Sequence, residues 1–211
     1  MEFSWLLVLG FFAQALFGAR SVVQWYLSEK HDKVVSPTLF WVLSLCGSSL
    51  FLVYGLFRQD GVILIGQTIS FYIYVRNLQL KDAWRIMPLP IRSLVLLIPP
   101  CIVFLQSRSS LNFQLFDSFH GLFLLGVIGQ LLLNCRYLYQ WYYSEQAQES
   151  LLPLGFWVIS TAASLLVVAY SLYAADVVLL VAQSLGLVVY GRNIIIYLRR
   201  GLAHNGQKVK F

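Results

Sequence analysis

The chain has 211 residues, 59% hydrophobic and 11% charged, with a formal net charge of +6 and a mean hydropathy of +0.72. Soluble domains carry about 25% charged residues, so this is the composition of a membrane protein. It leaves no room for a separate soluble catalytic domain, and no nucleic-acid partner is expected.

The first apolar segment, predicted as a helix over 4–27, could pass for an export signal, since Ala13-Gln14-Ala15 imitates a small-x-small cleavage site. Its start carries Glu2 and no Lys or Arg, which argues against that reading. The pattern also recurs at Leu122 to Leu138, so the segment is expected to belong to the mature fold. Two more helices are predicted at 38–57 and 61–80. Pro37 stands where the second begins, a position at which the missing N–H costs little. Asp60 opens the third, where a carboxylate caps the helix and offsets its positive end. Each segment is near the ~20 residues needed to cross a bilayer core of ~30 Å.

The same three helices return at 119–143, 154–173 and 176–198. Shifting the chain by 116 residues aligns 5–80 with 121–196 without a gap, and 27 of the 76 pairs are identical. Among them are Gly10/Gly126, Gln14/Gln130, Arg20/Arg136, Gln24/Gln140, Trp25/Trp141, Ser28/Ser144 and Glu29/Glu145. Pro37/Pro153, Phe40/Phe156, Trp41/Trp157, Ser44/Ser160, Tyr54/Tyr170 and Asp60/Asp176 follow, then Gln67/Gln183, Tyr74/Tyr190, Arg76/Arg192 and Asn77/Asn193. Greasy segments resemble one another by composition, but polar and aromatic identities in register mark a duplicated module.

Between the copies lies the apolar run Ser93 to Gln106, interrupted by Pro99-Pro100, which predict a kink. If this run crosses the membrane, Lys30, Lys33, Lys81, Arg85, Arg92, Arg199, Arg200, Lys208 and Lys210 share one side. Only Arg58 and Arg108 face them, leaving aside the four repeated arginines. That bias places the N-terminus outside and the C-terminus in the cytoplasm. If the run does not cross, the bias vanishes. The expected fold is therefore all-α and integral to the membrane, with seven transmembrane helices arranged 3+1+3 as two parallel repeats. It divides into a first repeat at 1–80, a linker with the fourth helix at 81–114, a second repeat at 115–200 and a short basic tail at 201–211.

Parallel three-helix repeats around a linker helix are the layout of SWEET and PQ-loop proteins. The motifs R-x3-Q-W-x2-S-E, P-x2-F-W-x2-S, Y-x5-D and Q-x6-Y-x-R-N occur in both halves. They resemble the small membrane module named for the N-terminal region of lipid A biosynthesis, found fused to lipid-A-disaccharide synthase or apart from it. The resemblance covers about 150 residues in both halves. It implies a place in envelope glycolipid synthesis in a bacterial inner membrane. No synthase domain is expected within these 211 residues, and they lack the Pro-Gln dipeptide of true PQ-loop proteins, so kinship with the latter rests on layout.

Ionisable groups within membrane segments are functional candidates by default. Arg20 and Gln24 share one helix face, as do Arg136 and Gln140, being four residues apart. Gln67 and Tyr74 align along one stripe with Asn77 a little round from it, and Gln183, Tyr190 and Asn193 repeat this. Arg76 and Arg192 fall nearly opposite that stripe, though an arginine near a helix end can snorkel. With parallel repeats all four arginines lie toward the cytoplasm, and such a ring suits a phosphate or pyrophosphate headgroup. The plainer alternative has each arginine pairing with Glu29 or Glu145 of its own module. Trp25, Trp41, Trp141 and Trp157 read as interface anchors. Cys46, Cys101 and Cys135 lack metal-type spacing and read as small buried hydrophobes; no metal or other cofactor is expected.

Transport leads the functional readings: flipping of a phosphate-bearing lipid-linked sugar, either a polyprenyl-phosphate glycan or a lipid related to lipid A. A second is a membrane partner that presents lipid to a glycosyltransferase, and a third a SWEET-like carrier of small sugars. Catalysis would need metal-binding carboxylates or a base beside the substrate. Only Glu29 and Glu145 stand near the arginines, so no enzymatic activity is expected.

Overall fold

The computed structural model describes residues 2–59, 61–106, 121–175 and 177–207. These residues form eight helices and no strand. The first three are α1 (Glu2–Lys30), α2 (Thr38–Arg58) and α3 (Gly61–Leu80). The short α4 (Ala83–Ile86) and α5 (Leu89–Gln106) follow. The last three are α6 (Gly121–Ala147), α7 (Leu154–Tyr173) and α8 (Val177–Gln207). Asp60 and Asp176, the expected caps of α3 and α8, lie outside the described residues, as do Lys208 and Lys210 of the tail.

Among the described residues, four segments are long and apolar enough to cross a membrane: Thr38–Arg58, Leu89–Gln106, Leu154–Tyr173 and Leu180–Arg199. The second contains the run on which the charge argument turned. Its helix continues through Pro99 and Pro100, and Pro99 is buried. α8 runs past its expected end at 198 to Gln207. Arg, Leu and Ala in that stretch are good helix formers, which offsets Gly201 and Gly206.

The chain gathers into two compact units that cut across the repeats. One holds Met1–Arg20, Thr38–Asp117 and Gln148–Ser150; the other holds Ser21–Pro37, Ser118–Ala147 and Leu151–Phe211. In the first, α2 packs along α3, and α5 lies against both. Trp41, Leu52, Phe71, Tyr74 and Leu78 are buried there. In the second, α7 packs between α6 and α8, with Phe156, Trp157, Ala163 and Val167 buried.

Two repeated identities explain how the helices close. A Cβ on Gly10 would stand 3.3 Å from the ring of Tyr54, and one on Gly126 would stand 2.7 Å from the ring of Tyr170. Glycine at these positions lets α1 and α6 approach a tyrosine that a larger residue would displace. Pro153 sits at the N-cap of α7, and its carbonyl accepts the Phe156 N–H at 3.0 Å.

Two expectations are corrected. Trp41 and Trp157 do not anchor at an interface: they are 0% and 2% exposed and pack against Tyr74 and Tyr190 at 5.9 and 6.1 Å. A large ring gains more from full burial than from a half-wet position, once a tyrosine partner is in place. Cys46, Cys101 and Cys135 are exposed on helix surfaces rather than buried. A thiol is apolar enough for a surface facing hydrocarbon, so an apolar neighbourhood in sequence does not report burial.

Candidate functional site

Each unit holds one arginine inside its helix packing. Arg20 is 7% exposed, and its Nη1 donates to Ser44 Oγ at 2.8 Å and to Tyr74 OH at 3.2 Å. Ser44 Oγ donates in turn to the Phe40 carbonyl. The guanidinium also lies 4.4 Å from the Phe17 ring centroid, 5.3 Å from Phe40 and 5.7 Å from Tyr74. A buried cation needs such compensation, since desolvation otherwise costs several kcal/mol. Aromatic faces supply part of it, at about 0.5–2 kcal/mol each.

The second unit repeats the arrangement with one change. Arg136, 8% exposed, donates through Nη1 to Ser160 Oγ and to Tyr190 OH, both at 3.0 Å. Its Nη2 reaches Tyr137 OH at 3.4 Å, and the rings of Tyr137, Phe156 and Tyr190 surround it at 5.0–5.4 Å. The position equivalent to Tyr137 in the first repeat is Ser21, and Leu133 replaces Phe17. The first arginine is thus capped by an apolar ring, the second by a phenol.

A second layer consists of amides. Gln24 Nε2 donates to Ser28 Oγ and to Asn193 Oδ1, both at 2.8 Å, and Asn193 Nδ2 donates back to Gln24 Oε1 at 3.1 Å. Gln24 Nε2 also lies 3.3 Å from the Val35 carbonyl, while the Val35 N–H donates to Ser28 Oγ at 3.1 Å. Gln140 closes the same circuit. Its Nε2 donates to Ser144 Oγ at 2.7 Å and to the Leu151 carbonyl at 2.8 Å, and the Leu151 N–H donates to Ser144 Oγ at 3.0 Å. In the first unit, Asn77 Nδ2 donates to the Ile73 carbonyl and its Oδ1 accepts from Ser150 Oγ at 2.7 Å. These circuits fix the loops after α1 and α6 to buried side chains.

Glu29, past the expected end of the first span, pairs with Arg192 of the other sequence repeat. Arg192 Nε donates to Glu29 Oε1 and Nη2 donates to Oε2 at 2.8 Å. Trp25 Nε1 adds a bond to Oε1 at 3.0 Å. The bond from Arg192 and that from Trp25 bring the Glu29 carboxyl from 4.5 down to about 2. The ion pair therefore forms across repeats and not within one module, and Arg20 binds hydroxyls.

Arg76 is half-buried and donates to Gln79 Oε1 at 3.3 Å, and Glu145 is half-buried on α6. Gln183 Oε1 accepts from Ser164 Oγ at 2.8 Å. In the first repeat Ser48 Oγ donates to the Gln67 backbone carbonyl instead, which leaves Gln67 Oε1 buried without a bond. Ser28, Ser44, Ser144 and Ser160 were matched in the repeat but given no role. Their signal lies in spacing: a serine four residues after each glutamine and twenty-four after each arginine.

The profile of the lipid A biosynthesis N-terminal domain matches residues 9–79 and again 125–195. The chain belongs to this family. Its second helix, the third up to Gln79, both arginine cages and both glutamine–serine pairs lie inside the matched segments. Relatives include a lipid-A-disaccharide synthase of Chlamydia pneumoniae, 28% identical over 85% of this chain and 31% of its own length. Another, of Chlamydia muridarum, is 29% identical over 87% of this chain and 32% of its own. A third, of Chlamydia abortus, is 27% identical over 93% and 34%. The chain thus spans about a third of the length of the curated relatives it matches. No solved structure matches it significantly.

The expectation of no enzymatic activity is corrected by these relatives, since each is named for an enzyme. Carboxylates and bases missing from this chain do not report on what the remaining two thirds of such relatives carry. The family places the chain in a lipid-related context, and its four apolar helices fit a membrane.

Proposed function

We propose that this family member is a bilayer-embedded carrier that binds the phosphate-bearing headgroup of a lipid-linked sugar and moves it between leaflets. The cargo would be a glycolipid related to lipid A, or a polyprenyl-phosphate glycan. The observation that carries this reading is the pair of arginines, each more than nine-tenths buried and held by a serine hydroxyl, a tyrosine hydroxyl and aromatic rings. A guanidinium held in that way presents fixed positive charge to an anionic headgroup while the acyl chains stay in hydrocarbon. Duplicated three-helix bundles offer alternating access by movement of one repeat against the other. On this reading the chain has seven spans in a bacterial inner membrane, with its N-terminus outside and its C-terminus in the cytoplasm.

A second reading is favoured by one observation: the relatives named lipid-A-disaccharide synthase align with this chain over only about a third of their length. A module joined to a glycosyltransferase could present the lipid substrate to it. One assay separates the readings. Protein is reconstituted in liposomes with a fluorescent polyprenyl-phosphate sugar or a phosphorylated glucosamine lipid, and leaflet exchange is followed by dithionite quenching. A carrier exchanges the label, and Arg20→Gln or Arg136→Gln slows it at least tenfold. No exchange alone, with faster turnover of an added synthase, supports presentation and overturns transport. Chemical change of the lipid by the chain itself overturns both.

A further inference from the structure

The elbow between α3 and α5 is built as a unit, and transport makes no use of it. Trp84, on α4, is 7% exposed and pins the elbow inward. Two residues on, Ile86 is 85% exposed, and Leu89 is 69% exposed. No large apolar side chain with a described exposure is more open than these two. Arg92 folds back over the corner, with Nε donating to the Met87 carbonyl at 2.7 Å and Nη2 to the Arg85 carbonyl at 3.1 Å. Those bonds satisfy carbonyls at the end of α4 and give the turn one conformation. Arg85 stands 82% exposed beside Asp82, 3.7 Å away, while Lys81 is half-buried with Glu149 as a charge neighbour. Lys81, Arg85 and Arg92 still outnumber the two acids at the elbow, Asp82 and Glu149.

We propose that this elbow is a docking surface for an anionic lipid leaflet, with Ile86 and Leu89 entering the headgroup–acyl boundary and Arg85 meeting lipid phosphates. Exposed apolar side chains ringed by basic ones lie in that boundary, because the apolar part leaves water while the charges stay with anionic headgroups. Charge complementarity selects the lipid surface over a protein groove: a net basic corner carrying exposed aliphatic tips matches a uniform negative plane. Each basic residue near such a surface shifts the docked-to-undocked ratio by about fivefold. The elbow thereby sets the depth of α3 and α5, whatever cargo the chain handles.

The test uses the full chain with Cys46, Cys101 and Cys135 replaced by alanine and an environment-sensitive fluorophore placed at Ile86→Cys. A probe at Leu94→Cys, a position 67% exposed on α5, serves as the lipid-facing reference. In phosphatidylcholine vesicles with about 30% phosphatidylglycerol, the probe at 86 is expected to be quenched by brominated acyl chains nearly as well as the reference. In pure phosphatidylcholine its accessibility to iodide should rise several-fold, and Arg85→Gln should produce part of that rise in the anionic vesicles. Arg85 is chosen because Arg92 also holds the corner together. A probe open to iodide in both vesicles overturns the proposal, as does lipid burial that ignores phosphatidylglycerol.

Discussion

Gln24 and Asn193 exchange two hydrogen bonds across 169 residues of sequence, amide to amide, with both side chains fully buried. The bond joins a residue of the first repeat to one of the second inside a single compact unit. Removing one partner leaves the amide oxygen of the other buried without this bond, at a cost of about 1–3 kcal/mol. Gln24→Leu and Asn193→Leu should each lower unfolding stability in detergent micelles by that amount. The double variant should lose less than the sum, by about 1 kcal/mol or more, because the orphaned group is gone. Additive losses would mean that the two amides do not act as a pair.

The pairing of Glu29 with Arg192 predicts an acid-sensitive junction. The Glu29 carboxyl, at 4.5 when free, is held down to about 2 by the bonds from Arg192 and Trp25. A depressed carboxyl stabilises the fold above its unfolded value and loses that contribution as pH falls through the folded one. The window is therefore pH 4.5 down to about 2. Thermal stability should fall through this range, and Glu29→Gln should flatten that part of the profile. The pair is partly open to solvent, so raised salt should shrink the effect.

The duplication is legible in sequence because its identities are polar or aromatic, and such residues are costly to place in apolar helices without a partner. Gly10 with Tyr54 and Arg20 with Ser44 and Tyr74 are contacts between residues already marked by the repeat. Which residues touch is less legible, because a periodic pattern gives the face of a helix and not its neighbour. Glu29 is the instructive case: the plainer sequence reading pairs it with an arginine of its own module, whereas the fold supplies Arg192 of the other. Trp41 and Trp157 were misread for a related reason. A tryptophan near a segment end suits both an interface and a core, and only the neighbouring Tyr74 and Tyr190 decide.

The cages around Arg20 and Arg136 predict a difference between charge and shape. Lysine keeps the charge but is a single ammonium on a flexible stem, and it cannot reproduce the guanidinium fork. Arg20→Lys should therefore retain part of the leaflet exchange, whereas Arg20→Gln should abolish it. Tyr74→Phe and Tyr190→Phe each remove one hydroxyl acceptor from a charged donor, a loss of about 1.5–3 kcal/mol in stability. Arg136 keeps Tyr137 OH at 3.4 Å as a further partner. Each loss should be read as a fall in the unfolding midpoint.

Three glycines give a graded series that tests the helix packing itself. Alanine gains up to about 1 kcal/mol over glycine in a helix interior. At Gly18 nothing lies within 4 Å of the added methyl, so Gly18→Ala should be neutral or stabilising. At Gly10 the methyl meets the Tyr54 ring at 3.3 Å, a contact that a small tilt of the ring relieves, and the two effects should nearly cancel. At Gly126 the Tyr170 ring stands 2.7 Å away at its nearest atom, the Cγ at the base of the side chain. That part of the tyrosine cannot swing aside, so α6 or α7 must shift, and overpacking of this kind costs about 1–3 kcal/mol. The expected order of thermal stability is Gly18→Ala above Gly10→Ala above Gly126→Ala. A Gly126→Ala variant as stable as the parent would show that α6 does not close on Tyr170 as described.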